Sequence, residues 1–185
     1  LEDKYDAIFL GIGLGATREL QIPGEALSES WGAVEFIEQL RIEQHKVSPA
    51  KQVVVLGGGN TAMDAASESA RLGAESVVLA YRRDKNSMVA YDFEYELAKG
   101  AGVKGMFEIT PIKILGETHV EGVEFLRTTI HNGKLETIPD SEFTIPCDRV
   151  IRATGQQKQT NFLEKIEGMK WDNRGKITID PLTYQ

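Results

Sequence analysis

Apolar positions along this 185-residue chain repeat with two different periods, and the switches between them mark out its elements. The run Gln52–Leu56 reads as a buried strand. Residues 60–72 follow, with Ala62, Ala65, Ala66, Ser69 and Ala70 at helical spacing, a face of small side chains suited to lying close on a sheet. Gly73 stops that helix, and a second apolar run, Ser76–Tyr81, begins at once. The same reading predicts a strand over 5–10 and an amphipathic helix marked by Trp31, Val34, Phe36, Ile37 and Leu40, ending before Ser48-Pro49. A further helix is predicted over 91–99, then a parallel strand over 103–109. Beyond Pro111 the segments 112–115, 122–130 and 134–138, with Asn132-Gly133 between the last two, predict an antiparallel meander. A strand over 149–153 should rejoin the parallel sheet, and 175–179 is a last candidate strand. The expected class is α/β, a parallel sheet with helices and an antiparallel β-meander.

The junction of the first strand and helix carries the candidate chemistry. Its spacing is Gly57-x-Gly59-x-x-Ala62, with Gly58 between the glycines. Gly57 permits a tight turn, Gly59 lets a pyrophosphate approach the backbone, and Ala62 lets helix and strand pack closely. Unpaired N–H groups at the helix start would hold the phosphates, and Asn60 and Thr61 are placed to cap that start or to touch the ligand. Glycine triplets alone also fit a plain strand-to-helix turn. The second strand adds weight: an acidic residue about 20 positions on receives the ribose 2′-hydroxyl in NAD-binding versions, but here Arg82 and Arg83 occupy that stretch. A guanidinium fork matches a phosphate dianion, so the pair points to the 2′-phosphate of NADP(H).

GGGNTAMDAA followed by VVLAYRRDKNSM resembles the NADPH-binding domain of the glutamate synthase small subunit and its relatives among FAD-dependent pyridine nucleotide oxidoreductases. The likeness extends to the run 5–15 with Gly11, Gly13 and Gly15, to Ile22-Pro23-Gly24-Glu25, and to residues 146–156 with Ala153, Thr154 and Gly155 at a strand end. The resemblance implies a Rossmann-like fold of the FAD/NAD(P)-binding type, with Ala153, Thr154 and Gly155 joining the cofactor site. It also implies hydride transfer from NADPH to FAD, and electrons passed on through an iron–sulfur or synthase-type partner. Val89 departs from the family pattern, which tends to have proline there. The family's flavin turn and its late Gly-Asp segment do not occur in these residues. Residues 29–152 are therefore expected to be the NADP(H)-binding domain, with 1–28 and 153–185 as flanking segments of a truncated FAD-type domain and no flavin bound by this chain alone. The glycines at 11, 13 and 15 are not expected to form a second dinucleotide turn, because Pro23-Gly24 follows too soon for a helix.

Composition narrows the remaining classes. A net charge of −7 and a pI near 5.1 argue against a nucleic-acid or anionic-membrane surface. No run approaches a membrane span and no secretory leader pattern opens the chain, so a cytoplasmic location is expected. The lone Cys147 allows no intrachain disulfide and no CxxC pair, and is expected to be packed beside a strand. His45, His119 and His131 lack ligand spacing, so no metal is expected. Asp64, Glu94 and Glu96 read as solvated helix charges, while Glu25 is the one carboxylate worth following. A non-catalytic NADP(H) sensor is the alternative from another class, and a methyltransferase fits less well because Arg82 stands where a carboxylate would meet the ribose.

Overall fold

Four consecutive apolar residues, Val53, Val54, Val55 and Leu56, are all buried, so their strand is covered on both faces. The computed structural model describes residues 4–43, 47–173 and 175–182. His45 lies outside them. A five-stranded, fully parallel sheet runs in the order β1 (Ser30–Gly32), β9 (Arg149–Arg152), β2 (Gln52–Leu56), β3 (Ser76–Tyr81) and β4 (Lys104–Phe107). Because successive side chains point to opposite faces, β2 feeds two separate cores. Val53 and Val55 pack with Val77, Leu79 and Ile151 against helices α1 (Ala33–Glu43), α2 (Asn60–Arg71) and α3 (Asp92–Gly100). Val54 and Leu56 pack with Ala80 and Val150 against an antiparallel sheet of β5 (Ile109–Leu115), β6 (Gly122–His131), β7 (Lys134–Thr137) and β8 (Phe143–Pro146). The result is three layers: helices, parallel sheet, antiparallel sheet. Phe36 and Phe125, both fully buried, anchor the two cores, each contributing roughly 1.5–3 kcal/mol by burial.

The expected small-residue face of α2 is present, with Ala62, Ala65, Ala66 and Ser69 buried and Asp64 exposed. Gly73 closes the helix at φ +95, a left-handed conformation that suits glycine. Several expectations are corrected. Trp31 belongs to β1 rather than to the helix, because pairing of Ser30 with Val150 and Trp31 with Ile151 draws residues 30–32 into the sheet. The strand expected over 103–109 breaks at Glu108, whose φ of +57 ends β4, and Ile109 starts the other sheet. Residues 5–10 form no strand, since no described segment offers them a ladder, and Phe9 is 95% exposed. Over 175–179 only one bridge, Ile177 with Trp171, is made. Strand β8 went unforeseen. It pairs with β6 and stacks Phe143 on Phe125 at 5.7 Å between centroids.

An ion pair between a buried arginine and a half-buried glutamate locks the edge of the parallel sheet. Arg149, 2% exposed, donates from Nε and Nη2 to Glu29 Oε2 and from Nη2 to Ser48 Oγ at 3.0 Å. Its guanidinium also lies over the rings of Trp31 and Phe36.

The chain divides into two compact units. Ala16–Gly155 contains everything above from β1 to β9. The other unit is formed by Leu1–Gly15 with Gln156–Gln185; in it Gly15 N–H donates to Gln157 O at 2.7 Å, and the short helix α4 (Thr160–Leu163) appears. Leu10, Ile12, Leu14, Leu163, Met169 and Trp171 line an apolar pocket of about 370 Å³ there. Among the described residues no helix is long and apolar enough to cross a membrane, and no group of three or more His, Cys, Asp or Glu side chains could hold a metal.

Candidate dinucleotide site

Three parallel strands end side by side at the glycine turn. Leu56 pairs with Ala80 of β3 and with Arg152 of β9, Gly57 N–H donates to Ala80 O at 3.0 Å, and Ala153 N–H donates to Leu56 O at 2.7 Å. Gly57 therefore has Ala153 on one side and Tyr81 on the other. Carboxyl ends of parallel strands are where α/β sheets of this kind take their ligands.

The three glycines do different work. Gly57 has φ +147, and a Cβ on it would stand 2.5 Å from Ala153 O. At Gly58 a Cβ would strike the Tyr81 ring at 2.6 Å. The fold itself thus demands both. Gly59 is different: a Cβ there would meet only Val89 Cγ2, at 3.6 Å, an ordinary van der Waals contact, so the fold itself does not demand a glycine at this position. The N–H groups of Ala62 and Met63 donate to Gly59 O, at 2.9 and 3.2 Å, while those of Asn60 and Thr61 have no acceptor among the described residues. A glycine that the fold does not itself require, beside free N–H groups at a helix start, fits a pyrophosphate.

Of the two roles expected of Asn60, capping the helix start is corrected. Gly59 is the N-cap residue and no side chain caps it; Asn60 Oδ1 instead accepts the Tyr91 N–H at 3.1 Å. Thr61 is exposed at the same helix start. Val89 N–H and Ala90 N–H both donate to Gly58 O, at 3.1 and 3.0 Å, so the loop after β3 is fastened back onto the turn. A proline in place of Val89 would lack the first of these donors.

Arg82 and Arg83 leave the end of β3 with exposed side chains and no ion-pair partner among the described residues. Asp84, which follows them, is engaged elsewhere. Its carboxylate accepts Ser87 Oγ at 3.0 Å and Ser87 N–H at 2.9 Å, bonds that hold it below its ordinary pKa. Ala153 is half-buried, while Thr154 and Gly155 are exposed just beyond it, with Gly155 at φ +111. All the expected site residues from 57 to 62, 82 to 83 and 153 to 155 thus lie at one end of the sheet.

Sequence reasoning missed Thr128. Its side chain, on β6, reaches the Arg82 carbonyl. Burial on β6 falls at Val123, Phe125 and then Thr128, a slip in the two-residue period that no local pattern announces. Glu25 is structural: its oxygens accept Leu20 N–H and Gln21 N–H, each at 2.7 Å, and Arg152 Nη1 at 2.5 Å. Gly11, Gly13 and Gly15 lead into no helix.

A glycine turn at three parallel strand ends, opening a helix with free N–H groups, defines a dinucleotide-binding α/β protein. The chain belongs to the pyridine nucleotide-disulphide oxidoreductase family, which matches residues 1–183 and is a family of FAD- and NADPH-binding oxidoreductases. It is 34% identical over 195 residues to the NADP(+)-dependent formate dehydrogenase subunit beta of Moorella thermoacetica, covering 99% of this chain and 27% of that protein. It is 34% identical over 194 residues to the glutamate synthase [NADPH] small chain of Halomonas elongata, covering 96% of this chain and 41% of that one. The chain therefore spans well under half the length of these relatives. Among solved structures, Mycobacterium tuberculosis FprA in complex with NADPH superimposes with a TM-score of 0.72 at 21% identity, over 97% of this chain and 55% of the other, a likeness of fold. Thioredoxin reductase of T. acidophilum matches with a TM-score of 0.67 at 22% identity, over 90% of this chain and 50% of that chain.

Proposed function

We propose that residues 29–152 are the NADP(H)-binding domain of a flavin-dependent oxidoreductase of the glutamate synthase small-subunit type, with 1–28 and 153–185 belonging to its FAD-type domain. What the bound nucleotide supplies is a hydride for that flavin and, through it, electrons for an iron–sulfur or synthase-type partner. This chain's own residues bind and orient. The Gly59 backbone and the N–H groups of Asn60 and Thr61 seat the pyrophosphate, Arg82 and Arg83 take the 2′-phosphate, and Ala153, Thr154 and Gly155 border the same strand ends. We assign no general acid or base among the described residues.

The observation that carries the reading is the arginine pair, exposed and unpaired among the described residues, beside a glycine turn whose Gly59 the fold itself does not require. The names of the relatives, which include NADPH and NADP(+), support it. Charge-assisted hydrogen bonds contribute about 1.5–3 kcal/mol, so Arg82→Ala or Arg83→Ala is expected to weaken NADPH by about ten-fold or more and leave NADH nearly unchanged. Calorimetric titration with both nucleotides tests this, and equal affinity of the unaltered chain for NADH and NADPH would overturn it.

A further inference from the structure

The backbone of the arginine pair is held from outside the parallel sheet. Thr128 Oγ1 donates to Arg82 O at 2.8 Å, and Glu108 N–H donates to Arg83 O at 3.1 Å. Thr128 N–H in turn donates to Glu108 O at 2.8 Å. Three hydrogen bonds thus tie β6 and Glu108, the single residue between β4 and β5, to the two carbonyls that follow β3: Arg82 directly from Thr128, Arg83 through Glu108. Glu108 makes two of them from φ +57, a conformation uncommon outside glycine. Thr128 is only 4% exposed, and its one hydroxyl proton is committed to Arg82.

The guanidinium groups have no such restraint. Neither is in an ion pair among the described residues and both are exposed, so the direction in which the two side chains leave the strand is set by their backbone. We propose that Thr128 is a positioning residue for nucleotide choice: by holding the Arg82 carbonyl it fixes where Arg82 and Arg83 present their charge to a 2′-phosphate. This rests on the reading of that pair given above. A ligand group met by preorganised donors loses less freedom on binding, so a loosened strand end weakens the phosphate contact and leaves the rest of the nucleotide's seat alone. A hydroxyl with a merely structural role would alter stability without altering the choice between two nucleotides that differ only in that phosphate.

The test is titration of the 185-residue chain and its variants with NADPH and NADH in parallel. Thr128→Val keeps the shape and removes the donor; it is expected to lower the preference for NADPH by about five-fold, through weaker NADPH binding alone, as the loss of one neutral hydrogen bond allows. Thr128→Ser, which restores the hydroxyl, should restore the preference. If Thr128→Val does not fold, Thr128→Cys, which retains only a weak donor, carries the same expectation. A folded Thr128→Val or Thr128→Cys chain with the unaltered preference overturns the inference, and loss of that preference in Arg82→Ala in the same series would leave the phosphate reading standing. A parent chain without any preference for NADPH overturns both.

Discussion

Gly57 and Ala153 approach so closely that a Cβ on the first would stand 2.5 Å from the carbonyl oxygen of the second. Two strands from distant parts of the chain meet at that contact, and the glycine's φ of +147 is part of it. Gly57→Ala therefore adds a clash to a disfavoured conformation, whose cost alone is of order 1–3 kcal/mol. Thermal unfolding should fall by several degrees. Gly59→Ala is the contrast: it should leave the melting temperature nearly unchanged and still reduce binding of NADPH and NADH alike, as measured by titration.

Glu29 is the partner that makes a buried Arg149 tolerable. Breaking a buried pair from one side leaves an uncompensated charge, typically at a cost of about 3–5 kcal/mol. Glu29→Ala should accordingly shift the urea midpoint down by far more than removal of any exposed pair, such as Arg71 with Glu68.

Acid sensitivity is expected from two carboxylates that hold residues 16–21. Burial alone would raise Glu25 and Glu35, but hydrogen bonds outweigh it: Leu20 N–H, Gln21 N–H and Arg152 on Glu25, and Thr17 N–H at 2.9 Å on Glu35. Both lie below the ordinary 4.5 in the folded chain. The unfolded chain then binds protons more readily, so their stabilisation is complete above 4.5 and is lost as pH falls through the lower folded values. The urea midpoint should fall with acid across that window, and the double variant Glu25→Gln, Glu35→Gln should be less stable at neutral pH but lose less stability below 4.5.

Cys147 should resist thiol reagents until the chain unfolds. Burial first, and the neighbouring Asp148 second, push its thiol up to about 12, and it is 4% exposed. Only the thiolate attacks. Native protein should react with a disulfide reagent orders of magnitude more slowly than protein in denaturant; fast native labelling would contradict its buried place in the second core, which it shares with Val150 and Phe125.

What was legible in the sequence was local. The small-residue face of α2, its stop at Gly73 and the apolar runs on either side depend on neighbours within a few positions, and so does the spacing of Gly57, Gly59 and Ala62. What was illegible depends on partners far away. Trp31 stands at helical spacing from Val34, three residues on, yet pairing with Ile151, 120 residues on, takes it into a strand. Asn60 has the chemistry of a cap, but the Tyr91 N–H claims its oxygen. The role of Thr128 exists only because a second sheet lies against the first, which no periodicity in 122–131 could announce.

Two N–H groups on the Gly58 carbonyl and one on Asn60 have a kinetic consequence. The peptide groups of the turn are held by these bonds without a ligand, so the turn itself needs no rearrangement to receive a nucleotide. Association should therefore proceed in a single phase whose observed rate climbs linearly with nucleotide concentration and does not level off, because no slower rearrangement stands between encounter and the bound state.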